Sequence, residues 1–164
     1  MDSISETRLQ TVFPLLADKI RQLADEMAGN SIDIRVVQAL RTVAEQDALF
    51  AQGRTAPGSI VTKVRGGFSY HNFGLAVDCV PSQFGPDQPF NPDWNSSHPT
   101  WKTMEQCGQD LGLISGSAWR TFPDAPHFQL NGRFPQDEPD DEVRTLAQGP
   151  GGLQDVWDAV TESL

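Results

Sequence analysis

The sequence predicts an α+β fold, a small central antiparallel sheet with flanking helices. Three observations support this. An amphipathic helical stretch opens the chain, short apolar strand-like runs occupy its middle, and a second apolar helical face closes it. Helices that precede and follow a group of strands point to α+β rather than to an alternating α/β architecture. A length of 164 residues fits one domain, 1–164, with one core.

The elements follow in chain order. Over residues 5–28, Leu9, Val12, Phe13, Leu16, Ile20, Leu23 and Met27 recur at three- and four-residue spacing and form one apolar helical face. Pro14 either kinks this helix or starts a second one, and Gly29-Asn30 stops it. Ile32, Ile34 and Val36 alternate within a strand over 32–40. Thr42 is placed to cap a short helix through Ala51, with Glu45 at the capping-box position and Gly53 as its end. Residues 54–73 are loop-rich. Residues 74–80, Gly-Leu-Ala-Val-Asp-Cys-Val, read as a buried strand, and 81–97 as a long proline-bearing loop. Ser97 is the expected cap of a helix from Pro99 to Leu111. Pro126 to Leu130 reads as a short final strand, and 132–151 as a polar Pro/Gly-rich stretch. Leu153, Val156, Trp157 and Val160 share one face of a terminal helix over about 152–162.

Composition excludes several classes. Twelve Lys and Arg face 22 Asp and Glu, a formal charge of −10, and there is no basic stripe of the kind a nucleic-acid binder needs. The acidic run Asp137, Glu138, Asp140, Asp141, Glu142 reads as a solvated surface segment. No run approaches the roughly 20 apolar residues that span a bilayer, so no membrane insertion is expected. The first residues lack a charged-then-apolar signal pattern, so the protein is expected to be cytoplasmic until something releases it. Cys79 and Cys107 read as buried thiols, and a single disulfide between them has no support.

The chemistry concentrates around two of the three histidines. His71 lies in a turn and Asp78 in the strand that follows, so a turn between them brings imidazole and carboxylate towards one ion. Asp124 and His127 flank Pro126, which favours an extended run at Ala125 and places the two side chains along one edge. Two His and one carboxylate form a common catalytic zinc set that leaves a fourth tetrahedral position to water, and a nearby carboxylate such as Asp124 is then needed to move the proton. Alone, each histidine is more often structural. His98 reads as a surface residue at a helix start. Trp94, Trp101 and Trp119 either line a groove or belong to the core.

These residues resemble a family. Ser69-x-His71-x-x-Gly74-x-Ala76-x-Asp78, with Asp124-x-Pro126-His127-Phe128, is similar to the signature of the zinc peptidases that unite D-alanyl-D-alanine peptidases with phage L-alanyl-D-glutamate endopeptidases, whose fold the sonic-hedgehog metal-binding domain shares. The stretches Arg41–Gln46 and Leu49–Thr55, and Trp119, are also similar to those endopeptidases. The resemblance spans about 34–130.

The resemblance implies a hedgehog/D-Ala-D-Ala-peptidase-like catalytic domain. It matches His71, Asp78 and His127 to zinc ligands, Asp124 to the general base, and Arg41 to an arginine beside the scissile carbonyl. D-alanyl-D-alanine dipeptidases usually carry Glu at the base position, and Asp is more similar to one branch of the endopeptidases. Arg41 otherwise reads as a surface ion pair, Gln46 as structural support for the site, and Ser69 as either a ligand's hydrogen-bond partner or a turn hydroxyl. The expected protein is a monomeric Zn2+ peptidase acting on bacterial peptidoglycan stem peptide at the L-alanyl-D-glutamate bond, endolysin-like, reaching the wall or periplasm on release. The rivals are a D-alanyl-D-alanine carboxypeptidase, a metal-binding module without catalysis, and a toxin using the same chemistry.

Overall fold

A computed structural model describes residues Met1–Leu164. Six helices and four strands occur in the order α1 (Ser3–Leu9), α2 (Pro14–Gly29), β1 (Ile34–Gln38), α3 (Val43–Ala51), β2 (Ala76–Pro81), α4 (Pro99–Asp110), β3 (Ile114–Ser115), β4 (His127–Gln129), α5 (Asp141–Gln148) and α6 (Leu153–Thr161). The sheet order is β1-β2-β4-β3 and every neighbouring pair is antiparallel. The expected α+β class is therefore the observed one. The chain forms two compact units, Met1–Ala39 with Ala76–Leu130, and Leu40–Leu75 with Asn131–Leu164.

The first unit holds the sheet. The apolar face of α2 buries Leu16, Ile20, Leu23 and Met27 fully, together with Val36 and Cys79 of β1 and β2, Met104 of α4 and Phe128 of β4. A buried side chain of this size stabilises by about 1.5–3 kcal/mol relative to exposure. Gly108 is required because a Cβ there would lie 2.3 Å from the Phe128 ring. The helix expected over 5–28 is two helices. Residues 10–13 break it, Val12 and Phe13 are buried in the break, and Pro14 starts α2 at its first turn, where a missing N–H costs nothing. Asp2 caps α1 by accepting a hydrogen bond from the Ser5 amide at 2.9 Å. The cap of α4 is His98, without a side-chain bond, and not Ser97. Both cysteines are free, and Cys107 is only half-buried whereas Cys79 is fully buried.

The second unit holds α3, α5, α6 and the turn that carries His71. Thr42 and Glu45 form the expected capping box of α3, Thr42 Oγ1 accepting from the Glu45 amide and Glu45 Oε2 from the Thr42 amide. The polar stretch 132–151 contains α5, which its composition hid. Asp140 caps it through the Val143 amide and only Val143 is fully buried, so its apolar signal is thin. Trp157 on α6 donates from Nε1 to the Phe73 carbonyl at 2.8 Å. No helix is long and apolar enough to cross a membrane.

Candidate metal centre

His71 sits on a one-turn 3-10 helix, Tyr70–Phe73. The Ser69 hydroxyl caps this turn by accepting from the His71 amide, and Gly74 ends it at φ 65°, in the left-handed region that glycine adopts without strain. The turn is held from outside as well. Arg41 N–H donates to the His71 carbonyl at 3.0 Å, and Asn72 Nδ2 donates to the Arg41 carbonyl at 2.8 Å. The Tyr70 hydroxyl donates to the Pro135 carbonyl. Burial pushes that phenol's pKa well above its usual range.

Arg41 is itself positioned. Its Nη1 donates to Gln46 Oε1 at 2.7 Å, and Gln46, fully buried, donates from Nε2 to Thr62 Oγ1 and the Val64 carbonyl. Gln46 thus bridges Arg41 to the segment at residues 62–64.

Asp78 and His127 are direct cross-strand partners in the β2–β4 register. On its other side Asp78 faces Gln38 across a bulge in β1, where the register shifts between Val36 and Gln38. A bulge redirects side chains and bends the strand locally. Asp78 Oδ1 lies 3.5 Å from His127 Nδ1. His127 Nε2 lies 2.9 Å from Gln129 Oε1. An amide oxygen only accepts, so Nε2 carries a proton and a neutral ring presents its lone pair at Nδ1, towards Asp78. Burial disfavours the charged imidazolium, but the hydrogen bond and charge of Asp78, with Gln129 and Asp124 adding to them, outweigh burial and raise the His127 pKa above its ordinary value.

Asp124 is tied to His127 by a hydrogen-bonded turn rather than by the extended run expected from Pro126. The His127 amide donates to the Asp124 carbonyl at 3.1 Å, and the Asp124 amide to the Gly116 carbonyl at 2.9 Å. The Cys79 amide donates to the Pro126 carbonyl at 2.8 Å and fastens this turn to β2. Trp119 lies against the His127 ring, centroids 4.8 Å apart. Gly116 permits this packing, since a Cβ there would lie 2.7 Å from the Asp124 carbonyl oxygen and 2.9 Å from His127 Cβ.

His71, Asp78 and His127 each offer one ligand atom, all within 4.8 Å of one another, and the set can hold a metal ion. Tetrahedral ligands at about 2.0–2.2 Å from one ion stand roughly 3.4 Å apart. The 3.5 Å Asp78–His127 separation matches that spacing. The donors, two imidazoles and a carboxylate, suit zinc chemistry.

Over 121 residues the chain is 34% identical to the peptidoglycan L-alanyl-D-glutamate endopeptidase CwlK of Bacillus subtilis (strain 168), a match covering 71% of this chain and 72% of that protein. The family profile described as D-alanyl-D-alanine carboxypeptidase, of the M15 peptidases, matches residues 62–130. The chain belongs to the M15 peptidase family. As an M15 peptidase it is a metallopeptidase, and its fold agrees. Its structure resembles the crystal structure of the Serratia marcescens L-Ala D-Glu endopeptidase ChiX with a TM-score of 0.50 and 25% identity, over 79% of this chain and 87% of that chain.

Sequence reasoning missed two residues of this candidate metal centre. Gln129 orients the His127 ring. The signal was present, because residues two apart in a strand share a face and His127 and Gln129 are such a pair. Gly116 lies eight residues before Asp124 in sequence, and no local pattern marks it. His98 is half-exposed, and its Nδ1 lies 2.7 Å from the buried carboxylate of Asp93. The three tryptophans divide. Trp101 is buried, Trp94 is 63% exposed, and Trp119 packs on His127.

Proposed function

We propose that this M15 peptidase is a zinc endopeptidase that hydrolyses the L-alanyl-D-glutamate bond of peptidoglycan stem peptides. The observation that carries this reading is the His71–Asp78–His127 ligand set, on a chain 34% identical to an endopeptidase of that specificity. His71, Asp78 and His127 would hold the ion, with Gln129 fixing the His127 tautomer so that Nδ1 is the ligand atom. A zinc ion there supplies Lewis acidity to water and to the scissile carbonyl.

The protein's own groups do the rest. Asp124, placed by its turn beside His127, takes the proton of the attacking water and returns it to the leaving amine of D-glutamate. Arg41, with its guanidinium held by Gln46, donates to the oxyanion as the carbonyl becomes tetrahedral. Severing L-alanine from D-glutamate frees the stem from the glycan. That suits an endolysin-like role in cell wall degradation and cytolysis, in which a monomer leaves the cytoplasm and reaches the wall on release.

A second reading is favoured by one observation, the D-alanyl-D-alanine carboxypeptidase description of the profile matching residues 62–130. Digestion of purified peptidoglycan separates the two. Mass spectrometry of the products should show new amino termini at D-glutamate, with L-alanine left on the muramyl sugar. Release of D-alanine alone would overturn the endopeptidase reading in favour of the carboxypeptidase. Elemental analysis of the purified protein should find about one zinc per chain.

A further inference from the structure

A pocket of about 430 Å3 opens beside Asp124 in the sheet-bearing unit, within the roughly 300–1,000 Å3 of small-molecule sites. Its walls include Trp94, Trp101, Ser96, Ser117, Asp124 and Pro126. Trp101 is the fixed wall, 5% exposed, its Nε1 donating to the Asp93 carbonyl at 3.1 Å. Trp94 is the open one. At 63% exposure it is a large indole that folding leaves in solvent, although a tryptophan normally buries most of its surface.

The segment that carries Trp94 is rigidly tied. The buried Asp93 carboxylate accepts from the Asn95 amide at 3.0 Å and lies 2.7 Å from His98 Nδ1, and the Asp93 amide donates to the Pro81 carbonyl at 2.8 Å. The main chain on both sides of Trp94 is thus anchored. With its main chain already anchored, Trp94 has only side-chain rotamers to lose when a ligand covers it.

From this geometry we infer that the pocket is a subsite for the N-acetylmuramyl sugar that carries the stem peptide, with Trp94 stacking on the pyranose face. The inference rests on the L-alanyl-D-glutamate reading. Asp124 belongs both to the pocket wall and to the proposed catalytic groups, so the pocket adjoins the reacting bond. On the carbonyl side of that bond stands a single L-alanine, and the lactyl ether of the sugar follows directly, about 3.3–3.6 Å of chain further on.

Charge selects the sugar over the other side of the bond. The pocket lining includes no Lys or Arg, and its only charged residue is Asp124. The D-glutamate side carries free carboxylates, which such a lining repels. The muramyl sugar is neutral once its lactyl carboxyl is amidated. It presents C–H bonds to an indole face and hydroxyls to Ser96 and Ser117.

The test compares two substrates with the same scissile bond, N-acetyl stem peptide and N-acetylmuramyl stem peptide, by steady-state kcat/KM. The unaltered protein should prefer the muramyl form. Trp94→Ala should lower that preference roughly three- to tenfold, the worth of one aromatic contact, chiefly through KM. Trp94→Phe, which keeps a ring, should retain most of the preference. Equal losses on both substrates, or an unchanged preference, would overturn the subsite and leave the endopeptidase reading intact. Failure of the unaltered protein to cut either substrate at L-alanyl-D-glutamate would overturn both readings.

Discussion

Asp78 and His127 stand on a sheet, whereas His71 stands on a single turn, and the two settings hold their side chains by different means. The strand pair is fixed by register. β2 is paired on both sides, its neighbours are buried, and a one-residue slip would turn every side chain of the strand to the other face. The turn is fixed by a few particular bonds, from Arg41, Asn72, Ser69 and Trp157. Each setting also ties its histidine to one of the proposed catalytic residues. The His127 amide donates to the Asp124 carbonyl, and the Arg41 amide donates to the His71 carbonyl. A ligand placed by a ladder therefore tolerates change in its neighbours, because many backbone bonds and a buried core share the load. A ligand placed by a turn depends on named side chains.

The largest effect should come from Asp124→Asn in the strand-built part. Asn keeps the shape, and the turn uses the backbone of residue 124, so metal content and melting temperature should stay unchanged while kcat falls about 10²–10⁴-fold. Near-native turnover would remove Asp124 as the base. Arg41→Lys is the matching change in the turn-built part. It keeps the charge and the main-chain bond to His71 but loses the planar fork that Gln46 holds. Turnover should fall roughly 10- to 1000-fold at unchanged metal content. Loss of metal in this variant would mean that the Arg41 side chain also holds the His71 turn.

The next effect concerns the metal itself. Gln129→Leu removes the acceptor that fixes the His127 tautomer, and metal affinity measured by chelator competition should drop about 10–100-fold. The pH dependence sharpens this. The His127 pKa is raised, so its imidazolium persists to higher pH than an ordinary histidine's, and a metal requires the neutral ring. Metal affinity should be unaffected by His127 above that raised pKa and weaken progressively as pH falls below it. In the metal-free protein the sign is opposite. There the raised pKa contributes stability that is fully present below the unfolded value and is lost as pH rises through the folded one. Metal binding that improves as pH falls would contradict this assignment.

The smallest effect should follow Trp157→Phe, which deletes the bond to the Phe73 carbonyl and keeps an aromatic ring. A loss of about 0.5–1.5 kcal/mol in stability is expected, with faster amide exchange confined to Tyr70–Phe73. Equal acceleration along β2 would show that turn and strand open together and would break the contrast between them.

Much of this was legible in the sequence where the physics is local. The 3.6-residue period of α2, the Thr42–Glu45 capping box and the apolar run of β2 are written within a few residues of one another. His71 and Asp78 were legible as a pair because a short turn and a short strand carry their spacing, and the resemblance to the zinc peptidases added His127. α5 was not, since its eight residues show one fully buried side chain and lie in an acidic, proline-flanked stretch. β3, two residues long, is defined by its partner β4 and by nothing in its own composition.

The sequence by itself determined which side chains could carry the chemistry: three histidines, of which two sit beside suitable carboxylates, and the arginine and glutamine upstream of them. The tertiary structure alone decided how each is aimed. Only the register of β2 on β4 sets Asp78 opposite His127, and only the fold brings Gly116 beneath the Asp124 turn and Trp157 onto the carbonyl of Phe73. The reason is physical. Donor chemistry belongs to a residue, whereas direction and distance belong to the backbone bonds and packing of segments far apart in the chain.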